Sequence, residues 1–240
     1  MIDGVVITID GPAGTGKSSV ASSLAARLGL DMLDTGAMYR ALTLHALSLG
    51  VPTQDDEAVD RATRGCVVDF DFATNPPRVL LDGRDVSDAI RSQQVTEHVS
   101  HVAAHRQVRE RLVLAQRRIA TAHPWLVTEG RDQGSVVFPH APVRIYLDAR
   151  PEVRARRRCE QLSAGGDRVD EAAILAAIIR RDALDAGRAT GPLRCPEGAK
   201  VVDTSDLTQD QVVDRLESIV RAMVGHTLQH RHAQGTAPCA

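Results

Sequence analysis

The stretch Gly11-Pro12-Ala13-Gly14-Thr15-Gly16-Lys17-Ser18 constrains this chain more than any other. It joins a short β-branched run over 5–10 to a segment over 18–28 in which Val20, Leu24 and Leu28 recur at helical spacing. The pattern is GxxxxGK[ST], set between a predicted strand and a predicted helix. Its glycines let consecutive backbone N–H groups turn inward around phosphate oxygens, and the helix opening near Lys17 brings about half a positive charge to the same point. Residues 11–18, together with Ser19, are the candidate cradle for a nucleoside triphosphate. Lys17 is expected to reach the β- and γ-phosphates, and Ser18, or Ser19 in its place, to offer a hydroxyl to Mg²⁺. The cradle alone leaves the reaction open.

The rest of the chain repeats the strand-to-helix rhythm. Residues 31–33, 125–128, 143–147 and 200–202 read as buried strands, and 151–163, 171–187 and 208–224 as helices. Such alternation predicts an α/β, three-layer P-loop NTPase fold with a parallel central sheet covered on both faces. Residues 51–93 break the rhythm, because 67–72 and 78–81 look like two strands joined by a turn at Asn75-Pro76-Pro77. They are expected to form an inserted β-containing lobe, with 1–50 and 94–225 as the core. Between 91 and 122 the apolar spacing predicts one long helix or two consecutive ones, and 226–240, without periodicity, a frayed tail.

At 240 residues and 43% hydrophobic, the chain can bury one substantial core. Its 29 basic and 31 acidic residues leave a formal charge of -2, and aromatics are only 2% of the chain, which argues against a nucleic-acid or membrane partner. Four separated cysteines, Cys66, Cys159, Cys195 and Cys239, form no CxxC pair, and no leader-like or membrane-spanning run is present. A cytoplasmic monomer is expected. Any anion must be met by local charge.

Local charge is available. No NKxD or DxxG follows in the order a GTPase switch requires, and a kinase for a small acceptor needs a second anion site to hold two mutually repelling phosphates in line. Arg40 lies just beyond a helix start at Asp34-Thr35, and Arg131 and Asp132 follow the predicted strand at 125–128, where ligands of open α/β sheets bind. Arg181, Asp185 and Arg188 share one face of a predicted helix. Arg154, Arg156, Arg157 and Arg158 crowd one segment before Ser163-Ala164-Gly165-Gly166, and a short arginine-rich lid over about 150–168 is expected. The alternatives are a kinase for another small acceptor, such as UMP, AMP or a shikimate-like acid, and a regulatory ATP-binding protein without an acceptor.

Together these residues resemble the bacterial cytidylate kinases over nearly the whole chain. The resemblance is carried by ITIDGPAGTGKSS at 7–19, LDTGAMYR at 33–40, GRDQGSVVFPHAPVRIYLDA at 130–149, RARRRCEQL at 154–162, and RRD followed by Asp185, Arg188 and Pro192-Leu193. It implies transfer of the γ-phosphoryl group of ATP, with Mg²⁺, to CMP or dCMP, directly and in line. It implies that Ser100, Arg109 and Asp132 read cytosine, that Arg181 and Asp185 hold the ribose, and that Arg40, Arg131 and Arg188 clamp the acceptor phosphate, with Thr35 and Tyr39 beside them. Lys17, Arg131, Arg154, Arg157 and Arg158 become the catalytic candidates, and 51–93 the nucleoside-monophosphate-binding insert. Gln133 stands where an aliphatic residue is common in that family, His140 where FPDA is more usual, and Arg106 where a proline often separates the helices of Ser100 and Arg109.

Overall fold

A computed structural model of the protein describes residues 4–164 and 170–234. Strands β1 (Val5–Asp10), β2 (Asp31–Asp34), β6 (Trp125–Gly130), β7 (Val143–Asp148) and β8 (Lys200–Asp203) form one parallel sheet in the order β2-β6-β1-β7-β8. All five point the same way, so their C-terminal ends gather along one edge of the sheet. This edge carries the glycine loop, Asp34, Arg131 and Asp132.

Strand alternation divides the core into two layers. Val5, Ile7 and Ile9 of β1 pack under helices α1 (Lys17–Leu28) and α8 (Gln209–Gln234), against Val20, Leu24, Val213 and Leu216. On the other face Leu33 and Leu126 meet Met38 and Leu42 of α2 (Thr35–Ser48) and Leu112 and Ile119 of α5 (Arg106–Ala122). At about 25 cal/mol per Å² of apolar surface, burying any one of these larger side chains is worth roughly 1.5–3 kcal/mol. Thr8 and Asp10 also point into this second layer, both fully buried, and place a polar strip beneath the site.

The insert contains α3 (Asp56–Thr63) and an antiparallel sheet of β3 (Val68–Asp71), β4 (Arg78–Leu81) and β5 (Arg84–Asp85). Val68, Phe70, Val79 and Leu81 join the same hydrophobic cluster as Leu33, Met38 and Leu42, so the lobe borrows the core of the second layer. Periodicity in the sequence does not reveal helix α3. Its start rests on the Asp55 carboxylate accepting the Ala58 N–H at 2.9 Å, and its one large buried apolar residue, Val59, is too little to show a period.

The segment after the insert is two helices, α4 (Gln93–Val102) and α5, broken at residues 103–105. The end of the chain corrects the expectation of a frayed tail over 226–234. Helix α8 continues to Gln234 past a kink at Val224, where φ is −136° and ψ 17°, because Leu228 is buried against the first-layer core. The part of the expected tail at 235–240 and the part of the expected lid at 165–169 lie outside the described residues. Among the described residues, no helix is long and apolar enough to cross a membrane.

Candidate functional site

The glycine loop, the candidate phosphate cradle, follows β1. Gly11 has φ 148°, and a Cβ there would run into the Leu147 carbonyl oxygen, so a side chain is excluded both by conformation and by space. Gly16 is the N-cap of α1 at φ 86° and provides no side-chain cap, which leaves the first N–H groups of the helix open to an anion. Lys17 is buried behind them, its Nζ donating to the Pro12 carbonyl at 2.7 Å and to Thr15 Oγ1 at 3.4 Å. Burial, followed by the nearby Arg131 charge, pulls the Lys17 ammonium down to about 7.

Ser18 Oγ donates to Glu129 Oε1 at 2.7 Å. Glu129 sits opposite Asp34 in the β2–β6 register, and burial together with the Glu129 charge pushes the Asp34 carboxyl up to about 7. Ser18, Ser19 and Asp34 open on a cavity of about 240 Å³ whose far wall includes Phe70 and Val79, so the insert stands over the glycine loop.

A second cluster is built around one carboxylate. Asp185, on α7 (Glu171–Ala186), accepts from Arg131 Nε at 2.9 Å and pairs with Arg188. Burial works against its charge, but Arg131 and Arg188 overcome it and hold the Asp185 carboxyl below its ordinary range. Arg181 lies in the same cluster; burial and then Arg131 lower it to about 10, and its Nε, like that of Arg188, is buried without a hydrogen-bond partner among the described residues. Arg40 donates to Thr96 Oγ1 at 2.8 Å and to the Ile90 carbonyl at 3.2 Å, and burial with the neighbouring arginines lowers it as well. Positive charge exceeds negative in a partly buried site, an arrangement that favours a polyanionic ligand.

At the inner end of this cluster Asp132 pairs with Arg109, the two side chains 4% and 5% exposed. Burial pushes the Asp132 carboxyl up, with Arg109 pulling the other way. The Arg109 guanidinium lies 5.5 Å from the centre of the Tyr39 ring, and its Nη1 donates to the Ala103 carbonyl at 3.2 Å, where α4 ends. Ser100 occupies the buried face of α4 with Val99 and Val102. A carboxylate acceptor and a guanidinium donor fixed side by side can read a flat heterocycle that carries both an amino group and ring acceptors.

The profile of the cytidylate kinase family matches residues 7–222, from β1 into α8. Two similar sequences, both named cytidylate kinase, come from Rhodococcus jostii, 50% identical over 92% of this chain and 96% of that protein, and from Mycolicibacterium paratuberculosis, 49% identical over 92% and 97%. The chain belongs to the cytidylate kinase family. A solved structure of an uncharacterized protein from Eubacterium ventriosum covers 92% of this chain and 99% of its own with a TM-score of 0.52; at 12% identity it shares the fold alone.

Seen against the family's motifs, the remaining candidates divide. Thr35 is fully buried and donates to the Glu129 carbonyl at 2.8 Å, so it braces the end of β6. The three candidate arginines of α6 (Pro151–Ala164) part company. Arg154 is buried and ties the Ala13 carbonyl of the glycine loop, at 3.0 Å, to Asp182 of α7, at 2.7 Å. Arg157 turns to the Thr204 carbonyl at 2.6 Å, and Arg158 is exposed, with its charge felt at Arg40. Arg106 opens α5 from the surface and bonds Glu110 at 2.7 Å. Gln133, the departure after GRD, is fully buried and bonded to Thr128 Oγ1 at 2.9 Å and Gln116 Oε1 at 3.2 Å. Sequence reasoning assigned no role to Asp34, Glu129 or Asp182; a carboxylate at a predicted strand end, as in Asp34 and Glu129, is the signal that could have found the first two.

Proposed function

We propose that the protein phosphorylates CMP and dCMP with ATP by direct in-line transfer, acting as a cytoplasmic monomer. The observation that carries this reading is the partly buried cluster in which the Asp185 carboxylate faces Arg131, Arg181 and Arg188, beyond the Lys17 loop and with the Arg109–Asp132 pair at its inner end. The acceptor phosphate enters where cations lack a full complement of anions. Arg40, Arg131 and Arg188 hold it, while Arg181 and Asp185 face the sugar.

Cytosine offers an N4 amino donor to Asp132, with Ser100 on the neighbouring helix, and N3 and O2 acceptors to Arg109. Uracil reverses the polarity at position 4 and leaves the buried Asp132 carboxylate facing another acceptor, a mismatch of about 1–3 kcal/mol. The hard oxygens of Ser18, Glu129 and Asp34 suit Mg²⁺, which when bound there would help neutralise the β- and γ-phosphate charge.

No dedicated base is required, because the attacking acceptor oxygen is already anionic near neutral pH. Catalysis then rests on alignment and on charge stabilisation by Lys17, Arg131 and the α6 arginines. Arg154 serves by fixing the glycine loop, and the exposed Arg158, whose charge reaches Arg40, is the α6 arginine assigned to close on the transferring group. The decisive experiment is a coupled assay of ADP release against CMP, dCMP, UMP, AMP and shikimate. CMP and dCMP should exceed the others at least tenfold in kcat/KM; parity with UMP and AMP would sink the cytosine reading, and ATP turnover without any acceptor would favour the regulatory alternative.

A further inference from the structure

Asp10 ends β1 and immediately precedes Gly11. Strand alternation sends it, fully buried, to the second-layer face, where β6 presents Gly130 in register with it. There its Oδ1 accepts the Gln133 N–H and its Oδ2 the Gly134 N–H, each at 2.7 Å. These two amides open the π-helical turn Gln133–Val137, and the first N–H groups of any helical turn lack partners of their own.

The second of them, the Gly134 N–H, is one that the residue just before the turn would ordinarily satisfy. That residue is Asp132, and an aspartate at such a position usually bends its carboxylate back onto the second or third N–H of its own helix. Here Asp132 makes no such cap, and its carboxylate goes to Arg109 instead. Asp10 has taken over the capping from another strand, 123 and 124 positions away in sequence.

We propose that Asp10 is a positioning residue for the acceptor base: by capping the Gln133–Val137 turn it releases the Asp132 carboxylate toward Arg109 and the ligand. One residue then belongs to both halves of the site, since the backbone that leads into the phosphate cradle also sets the base reader. The proposal rests on the acceptor reading above and adds a residue that never touches substrate.

Asp10→Asn keeps the shape but can accept only one of the two N–H groups and turns an NH₂ toward the other, so the Asp132 carboxylate is drawn back to its own turn. The KM for CMP should rise at least tenfold, the preference for CMP over UMP should fall, and the KM for ATP should stay within about threefold. Equal rises for both substrates, or no change in the KM for CMP, would overturn the proposal. Amide hydrogen exchange in the wild-type protein gives a second readout that survives a variant failing to fold. Gln133 and Gly134 should exchange as slowly as the amides of β1; fast exchange at both would overturn it. This readout needs no acceptor, so it separates a failure of the Asp10 proposal from a failure of the CMP reading, which the wild-type acceptor panel decides.

Discussion

Replacing Asp132 by asparagine changes charge and donor pattern while nearly preserving volume, and so tests directly the base-reading role proposed for the Arg109–Asp132 pair. In the wild type a charge-assisted hydrogen bond from the cytosine amino group to the buried carboxylate is expected to contribute about 1.5–3 kcal/mol. At 1.36 kcal/mol per tenfold, its loss should lower kcat/KM for CMP roughly 10- to 150-fold. The carboxamide introduced by Asp132→Asn can instead donate to the 4-oxo group of uracil, so UMP should lose little or gain.

The variant should still fold, because Arg109 keeps its bond to the Ala103 carbonyl and its place over the Tyr39 ring. Steady-state kinetics with CMP and UMP, with ATP varied as a control, measure the ratio. The reasoning is refuted if the CMP-to-UMP ratio is unchanged, or if the KM for ATP rises as much as that for CMP.

Two further outcomes follow from the buried charges. Asp185→Asn removes the carboxylate shared by Arg131 and Arg188, and breaking such a buried arrangement costs about 3–5 kcal/mol. The melting temperature should fall by roughly 6–20 °C at about 2–4 °C per kcal/mol, with part of the loss recovered on adding CMP; a thermal-shift change below about 2 °C would contradict the packing described. Burial raises the Asp10 carboxyl from 3.8 to about 7, despite the two backbone N–H bonds that favour its charge. The folded state therefore holds a proton that the unfolded chain has released. This contribution is full below about pH 3.8 and is lost as pH rises through about 7, a change of about 4 kcal/mol. Urea unfolding of Asp10→Asn between about pH 5 and 8 should show a flatter decline than the wild type; parallel curves would show that Asp10 does not titrate this way.

The strand, glycine loop and helix at 5–28 were legible because everything they need is contiguous. Glycines at fixed offsets, a preceding β-branched strand and a following helix suffice to aim N–H groups at a phosphate, whatever lies elsewhere in the fold. The parallel sheet, the hairpin of the insert and the break in rhythm at 51–93 were legible for a similar reason, since periodicity reports which faces are buried. Helix α3, with Val59 its one large buried apolar residue, and the end of α8, where Leu228 is buried, fell below what periodicity can report.

The site's carboxylates were decided at longer range. Asp34 and Glu129 meet because β2 lies beside β6, and Asp10 reaches Gln133 because β6 also lies beside β1. Strand order in a parallel sheet is set by crossovers through helices, and no local pattern around Asp10 or Glu129 encodes which strand will be its neighbour. The arginines of α6 show the same limit, since three of the four within positions 154–158 take three different environments: the glycine loop for Arg154, the Thr204 turn for Arg157 and solvent near Arg40 for Arg158. The motif carries its own strand, turn and helix signals, whereas tertiary packing decides which charges gather around the loop, because desolvation makes a buried charge costly unless a partner brought from elsewhere in the chain offsets it.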